Sequence, residues 1–145
     1  MQNAITELEQ LTITSTAKGF LKETAKWCKF LSVLGFVGLG LLFLSSFFIS
    51  SVYSNMPQAA AMPFNLGIVM TVVYILIIAI YIFPLYYLYQ FSLKLKKALL
   101  SKDDKILADA FEMLKSHYKF IGVFTIIMLS IYILAGILGI MGILA

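Results

Sequence analysis

The sequence predicts an all-α integral membrane protein, a helical bundle with three transmembrane helices. Of its 145 residues, 61% are hydrophobic and only 12% are charged, and the mean hydropathy is +0.97. Soluble proteins average about 25% charged residues. The charges are also unevenly placed, because no Asp, Glu, Lys or Arg occurs between Phe30 and Leu93 or between Phe120 and Ala145. Uncharged blocks of that length predict segments that lie in a lipid bilayer.

The first uncharged block is too long for one crossing, since a bilayer core of about 30 Å requires roughly 20 helical residues. The turn-forming stretch YSNMPQAAAMPFN, residues 53–65, divides it. We therefore predict spans at residues 30–52, 66–88 and 120–142. A signal peptide has a shorter apolar run, of about 7–15 residues. The strands of a β-barrel alternate apolar and polar residues, unlike the stretch YILIIAIYIF.

The lysines predict how the chain is oriented, because Lys and Arg concentrate in the cytoplasmic segments that flank membrane spans. All eleven lysines lie in residues 1–29 or in residues 89–119, and the loop at residues 53–65 has no charge. This distribution predicts a cytoplasmic N-terminus and a cytoplasmic segment between spans two and three. The loop and the C-terminus are then external.

We predict that the N-terminal segment, residues 1–29, contains a basic amphipathic helix that leads directly into the first span. Its lysines share one face of the helix, opposite a mainly apolar face; they are Lys18, Lys22, Lys26 and Lys29. Ser15 or Thr16 is expected to cap this helix. Such a helix commonly lies among lipid headgroups, with Trp27 as its interfacial anchor. We expect membrane lipids to be partners here and at Lys94, Lys96 and Lys97.

We predict that residues 89–119 form a cytoplasmic helical hairpin, made by extensions of spans two and three. In the stretch SKDD, Ser101 is expected to cap the second arm. The carboxylate of Asp104, three residues later, is expected to accept a hydrogen bond from the Ser101 N–H. The two arms have apolar stripes that are best buried against each other. The predicted seam, which is also a candidate partner surface, consists of Leu95, Leu99, Leu107, Phe111 and Leu114. The N-terminal helix, a partner protein or the lipid surface can each cover the remainder of the longer arm.

Small residues and one proline within the spans predict how the helices pack. Glycines let helix backbones approach closely in membranes, and the candidates are Gly35, Gly38, Gly136 and Gly139. Pro84 is expected to kink the second span.

Few residues are candidates for catalysis, ion transport or metal binding. The three spans contain no ionisable side chain of the kind that ion and proton carriers use. His117 has no neighbouring His or Cys with which to complete a metal site, and we interpret it as a helix-surface residue. Cys28 is interpreted as a small apolar filler. No nucleophile and base occur at motif spacing, so we predict no enzymatic activity, no catalytic residues, no cofactor and no metal. Acidic residues among the lysines argue against a nucleic-acid partner.

Three stretches carry a resemblance to a known family: KWCKFLSVLGFVG, YIFPLYYLYQFSLKLKKAL and AFEMLKSHYKFIGVFTIIML. Over residues 20–135, and most specifically in the FP…YLYQFS segment, the chain resembles a family of small bacterial membrane proteins that contain a domain of unknown function. The resemblance implies a bacterial inner membrane and assigns no functional residues.

The spans have no ionisable side chains, whereas the cytoplasmic helices are amphipathic. This contrast favours a non-enzymatic accessory or scaffold protein of the inner membrane. Such a protein acts as a homo-oligomer or as a subunit of a larger membrane complex. The alternative is a small oligomeric pore or transporter component, assembled around the second span.

Overall fold

The protein consists of three long helices. A computed structural model describes residues 13–57 and 63–144, with side chains as far as Gly142. Over these residues the helices are α1 (Ser15–Ser54), α2 (Leu66–Ser101) and α3 (Asp104–Leu144). All three are long and apolar enough to cross a membrane, which confirms the predicted all-α fold with three helices of spanning length over the described residues. The predicted N-terminal segment up to residue 12 and loop residues 58–62 lie outside the described residues.

Each helix is about twice as long as a bilayer core is thick. The helices contain 40, 36 and 41 residues, which at about 1.5 Å per residue exceeds the roughly 30 Å of hydrocarbon. Residues 15–29 are the first turns of α1 and are continuous with the first span. Thr14 caps this helix, and its Oγ1 accepts a hydrogen bond from the Ala17 N–H at 3.2 Å. The expected cap at Ser15 or Thr16 is therefore wrong by one or two residues.

The turn between α2 and α3 differs in detail from the prediction. Ser101 does not cap α3; it is the last residue of α2, and its hydroxyl donates to a carbonyl of its own helix. Lys102 turns the chain with left-handed dihedrals, φ 54° and ψ 40°. Asp103 then becomes the cap, because its Oδ1 accepts from the N–H groups of Lys105 (2.9 Å) and Ile106 (3.2 Å).

Helix α2 lies between the other two helices. It packs against α1 on one side and α3 on the other, while α1 and α3 make few direct contacts over the described residues. Both pairs are antiparallel, so the first turns of α1, the last turns of α2 and the first turns of α3 meet at one end. All eleven lysines lie at this end, which we call the lysine end.

The contact face of α1 repeats every seven residues. Its buried side chains are Ala25, Ser32, Leu39 and Ser46. The two serine hydroxyls are satisfied within α1, since each donates to a carbonyl three residues earlier, at 2.9 Å and 2.7 Å. A seven-residue period is the spacing of a left-handed helix pair, and small side chains let membrane helices approach closely. Sequence analysis missed this seam, although its spacing was visible.

The contact face of α3 includes Leu107 and Leu114 of the predicted seam but not Phe111. Ala110 is buried and His117 is half-buried, whereas Phe111 of the predicted seam and the neighbouring Tyr118 are 45% and 66% exposed. The inward face thus carries the small Ala110 and the polar His117 beside partly buried leucines. Farther along α3, Phe120 stacks on Phe83 of α2 and Phe124 packs edge-on against Tyr81.

The distal part of α3 is not covered by the rest of the described chain. Every described side chain from residue 129 to residue 142 is exposed. The described side chains that α3 buries, wholly or partly, therefore all lie before Leu129.

Candidate functional site

A small apolar cluster joins all three helices at the lysine end. Its buried members are Ala25 of α1, Phe91 and Leu95 of α2, and Ala110 of α3. Leu95 is fully buried and Phe91 is 1% exposed. Partly buried neighbours pack around these four: Leu21, Cys28, Leu88, Leu99, Leu107, Met113 and Leu114. This lysine-end cluster fixes the positions of the helix ends that project beyond the spans.

The residues of the predicted hairpin seam divide between the cluster and its edge. Leu95 lies at the centre, and the three other leucines, Leu99, Leu107 and Leu114, pack against it while partly buried. Phe111 does not belong to the buried seam, because its side chain is 45% exposed. Its ring lies at the edge of the cluster, 6.2 Å from the Phe91 ring. Ala110, next to Phe111, is the fully buried residue of α3 in this cluster.

His117 forms a cross-link between α3 and α2 that sequence analysis did not anticipate. Its Nδ1 lies 2.7 Å from the backbone oxygen of Pro84. A carbonyl oxygen only accepts, so Nδ1 carries the proton and donates. Pro84 is buried inside α2, which continues through it as a helix. The available signal was the spacing of His117 seven residues after Ala110, on the same face of α3.

Removing this cross-link is expected to weaken the contact between α2 and α3. His117→Phe keeps a ring and loses the donor, so it should lower the free energy of unfolding by about 1 kcal/mol. Tyr118→Phe is the matched control, because Tyr118 is 66% exposed and should change little. Thermal unfolding in detergent measures both. Equal midpoints for the two variants would contradict a structural role for the bond.

The lysines predicted to meet lipid remain accessible. Lys18, Lys22, Lys26, Lys29, Lys96 and Lys97 are exposed. Lys94 is partly buried, and its Nζ lies 4.0 Å from Asp109 Oδ2 in a loose pair that contributes at most about 1 kcal/mol. Trp27 is 58% exposed and packs edge-on against Phe30, with ring centroids 5.9 Å apart.

The predicted packing glycines fall into two groups. A Cβ at Gly35 would collide with the Leu85 side chain, so α1 and α2 approach closely there. Gly38, Gly136 and Gly139 have no atom within 4 Å of the place where a Cβ would stand. These three therefore make no close contact within the described chain. Gly67 at the start of α2 does make one and was not among the predicted residues.

Within residues 13–57 and 63–142, no three His, Cys, Asp or Glu side chains come together as metal ligands. The fold and these contacts define a multi-pass helical membrane protein with a packed lysine end. No protein-family model, curated protein or solved structure matches the chain.

Proposed function

We propose that the protein is a non-enzymatic accessory or scaffold protein of a bacterial inner membrane. It acts through helix–helix contacts with further copies of itself or with a larger membrane complex. The distal part of α3 carries this proposal, because every described side chain from residue 129 to residue 142 is exposed. Gly136 and Gly139 lie there with open space beside them. In a bilayer, a helix face with small residues favours close packing against another helix.

The lysine-end cluster supports the same proposal. It anchors the first turns of α3 against α2, through Ala110 and the leucines around it. An anchored helix presents its distal face in a defined direction, which reduces the ordering cost of binding another helix. The proposed absence of enzymatic activity depends on the sequence, which has no nucleophile and base at motif spacing.

We test the scaffold proposal by self-association in liposomes. Two pools of protein with different fluorophores are mixed, and energy transfer is followed as lipid is added. We expect transfer to persist on dilution and Gly139→Leu to reduce it. Gly122→Leu is the matched control, because Gly122 also lies on α3 with no atom within 4 Å but near the lysine end.

Two outcomes would contradict the scaffold proposal. The first is transfer that falls to the random-proximity level together with no protein that copurifies after mild detergent extraction. The second is solute flux through liposomes that contain only this protein, which would favour the pore or transporter alternative.

Orientation and family membership are part of the proposal. The eleven lysines lie at one end of the three helices, and the positive-inside tendency places that end in the cytoplasm. The family resemblance supports the proposal of a bacterial inner membrane. The N-terminus is then cytoplasmic and the C-terminus external.

Reporter fusions test this orientation directly. A reporter fused after Pro57 or after Ala145 is expected to be active only outside the cytoplasm, and one fused after Lys102 only inside. A cytoplasmic signal from the fusion at Pro57 would contradict the proposed topology. Exchanging Lys18, Lys22, Lys26 and Lys29 for Gln is expected to lower the fraction of correctly oriented molecules, because these lysines flank the first span.

A further inference from the structure

A groove of about 260 Å³ lies between α1 and α2 at the lysine end. Five exposed lysines line it, four from α1 and one from α2: Lys18, Lys22, Lys26, Lys29 and Lys96. Much of the remaining lining is apolar and includes Leu93 and Leu99 of α2. No Asp or Glu is among the described residues that line the groove.

Among the described residues, no acidic side chain lines this groove or pairs with its lysines within 4.0 Å. Among the described residues, the one ion pair within 4.0 Å joins Lys94 to Asp109, outside the groove. Glu23 does not line the groove; it lines a neighbouring depression that shares Lys22 and Lys26 with it. Lysines gathered on two packed helices repel one another. A bound anion would relieve this repulsion.

The apolar lining indicates which anion fits. An inorganic phosphate ion would use the lysines and leave the leucines without a role. A phospholipid uses both, since its phosphate is anionic and its acyl chains are apolar. The volume lies below the roughly 300–1,000 Å³ of pockets that enclose drug-sized ligands. The groove therefore accommodates a headgroup, and the acyl chains extend beyond it.

The groove also lies at the appropriate level of the helices. Lys29 directly precedes Phe30, where the uncharged run of α1 begins, and Lys96 follows shortly after Leu93, where the uncharged run of α2 ends. Basic pockets between membrane helices at this boundary are suited to anionic headgroups. We propose that the groove binds one anionic phospholipid, with its phosphate among the lysines and its acyl chains leaving past Leu93 toward the uncharged part of α2. This inference does not depend on the scaffold proposal.

The test measures retention of phosphatidylglycerol by the full-length protein. Protein in a zwitterionic detergent is titrated with phosphatidylglycerol or phosphatidylcholine, and bound lipid is counted by native mass spectrometry. We expect one phosphatidylglycerol to be retained in preference to phosphatidylcholine. Exchanging Lys22, Lys26 and Lys96 together for Gln should weaken its binding about tenfold or more.

The matched control removes the same charge elsewhere. Lys97, Lys105 and Lys115 are exposed and do not line the groove, so exchanging them for Gln should change binding less than about twofold. Equal losses in the two triple variants would overturn the proposal in favour of diffuse surface attraction. Equal retention of phosphatidylcholine would also overturn it. Displacement of the lipid by millimolar inorganic phosphate would identify a free-phosphate site instead. Size-exclusion profiles confirm that both variants are folded.

Discussion

Leu95→Asp is expected to abolish accumulation of the folded protein, because it places a charge where three helices meet. Leu95 is fully buried and contacts a cluster that includes Ala25, Phe91 and Ala110. The buried members of this cluster provide no cationic group for a carboxylate. An uncompensated buried charge costs about 3–5 kcal/mol, a large part of the roughly 5–15 kcal/mol that stabilises a typical protein.

Leu100→Asp is the matched control for this prediction. It makes the same exchange five residues later on α2, at a side chain that is 75% exposed, so accumulation should be nearly unchanged. Accumulation is measured as monodisperse protein after membrane extraction, and thermal unfolding gives a second readout. If Leu95→Asp and Leu100→Asp accumulate equally, the lysine-end cluster does not hold the helices together.

The structure also predicts that introducing Asp destabilises the hairpin to different extents at different positions. Phe111→Asp is expected to destabilise less than Leu95→Asp, because the Phe111 side chain is already 45% exposed. The sequence alone assigned Phe111 to the seam and gave no reason to separate the two positions. The difference arises because Ala110, next to Phe111, faces α2.

The sequence was sufficient to predict the three helices. In a bilayer, a long uncharged run is most stable as a helix, because each backbone N–H and C=O then forms a hydrogen bond within the same segment. Lysines and the proline-containing stretch at residues 53–65 then mark where the runs end. These are strong local signals that need no knowledge of tertiary contacts.

The sequence predicted only part of the packed helix faces, and the reason is physical. Lipid chains are as apolar as a leucine side chain, so apolarity does not distinguish a lipid-facing surface from a protein-facing one. The buried face of α1 therefore uses Ser32 and Ser46, and α3 turns Ala110 and His117 inward. A period of small or polar side chains was the better signal.

The helix caps were missed for a different reason. In the stretch SKDD, both Ser101 and Asp103 are good capping residues, and sequence alone does not decide between them. The left-handed conformation of Lys102 decides, because it ends α2 after Ser101 and leaves Asp103 to begin α3. This conformation is uncommon for a residue other than glycine.

Gly67→Ala is expected to destabilise the protein, in contrast with the usual effect of this exchange in a helix. Alanine normally stabilises a helix by roughly 0.5–1 kcal/mol relative to glycine. Gly67 is buried, and a Cβ there would collide with the Ser54 hydroxyl and the backbone oxygen of Ser50. The hydroxyl can rotate away, but the backbone oxygen moves only if the end of α1 shifts.

A shift of this kind would also disturb the start of α2. The Asn65 side chain caps that helix by accepting from the Ile68 N–H at 3.1 Å. The Ser54 hydroxyl donates to the same Asn65 oxygen, also at 3.1 Å. Overpacking a close contact typically costs about 1–3 kcal/mol, which outweighs the gain in helix propensity.

The control exchange, Gly40→Ala, is expected to have the opposite effect on stability. Gly40 lies within α1 with no atom within 4 Å of its absent Cβ, so Gly40→Ala should stabilise the protein by up to about 1 kcal/mol. Unfolding midpoints in detergent compare the two variants under one condition. We expect the midpoint to fall for Gly67→Ala and to rise for Gly40→Ala. A rise for both would mean that α1 and α2 do not approach closely at their distal ends. The seven-residue seam of α1 would then hold the pair together only nearer the lysine end.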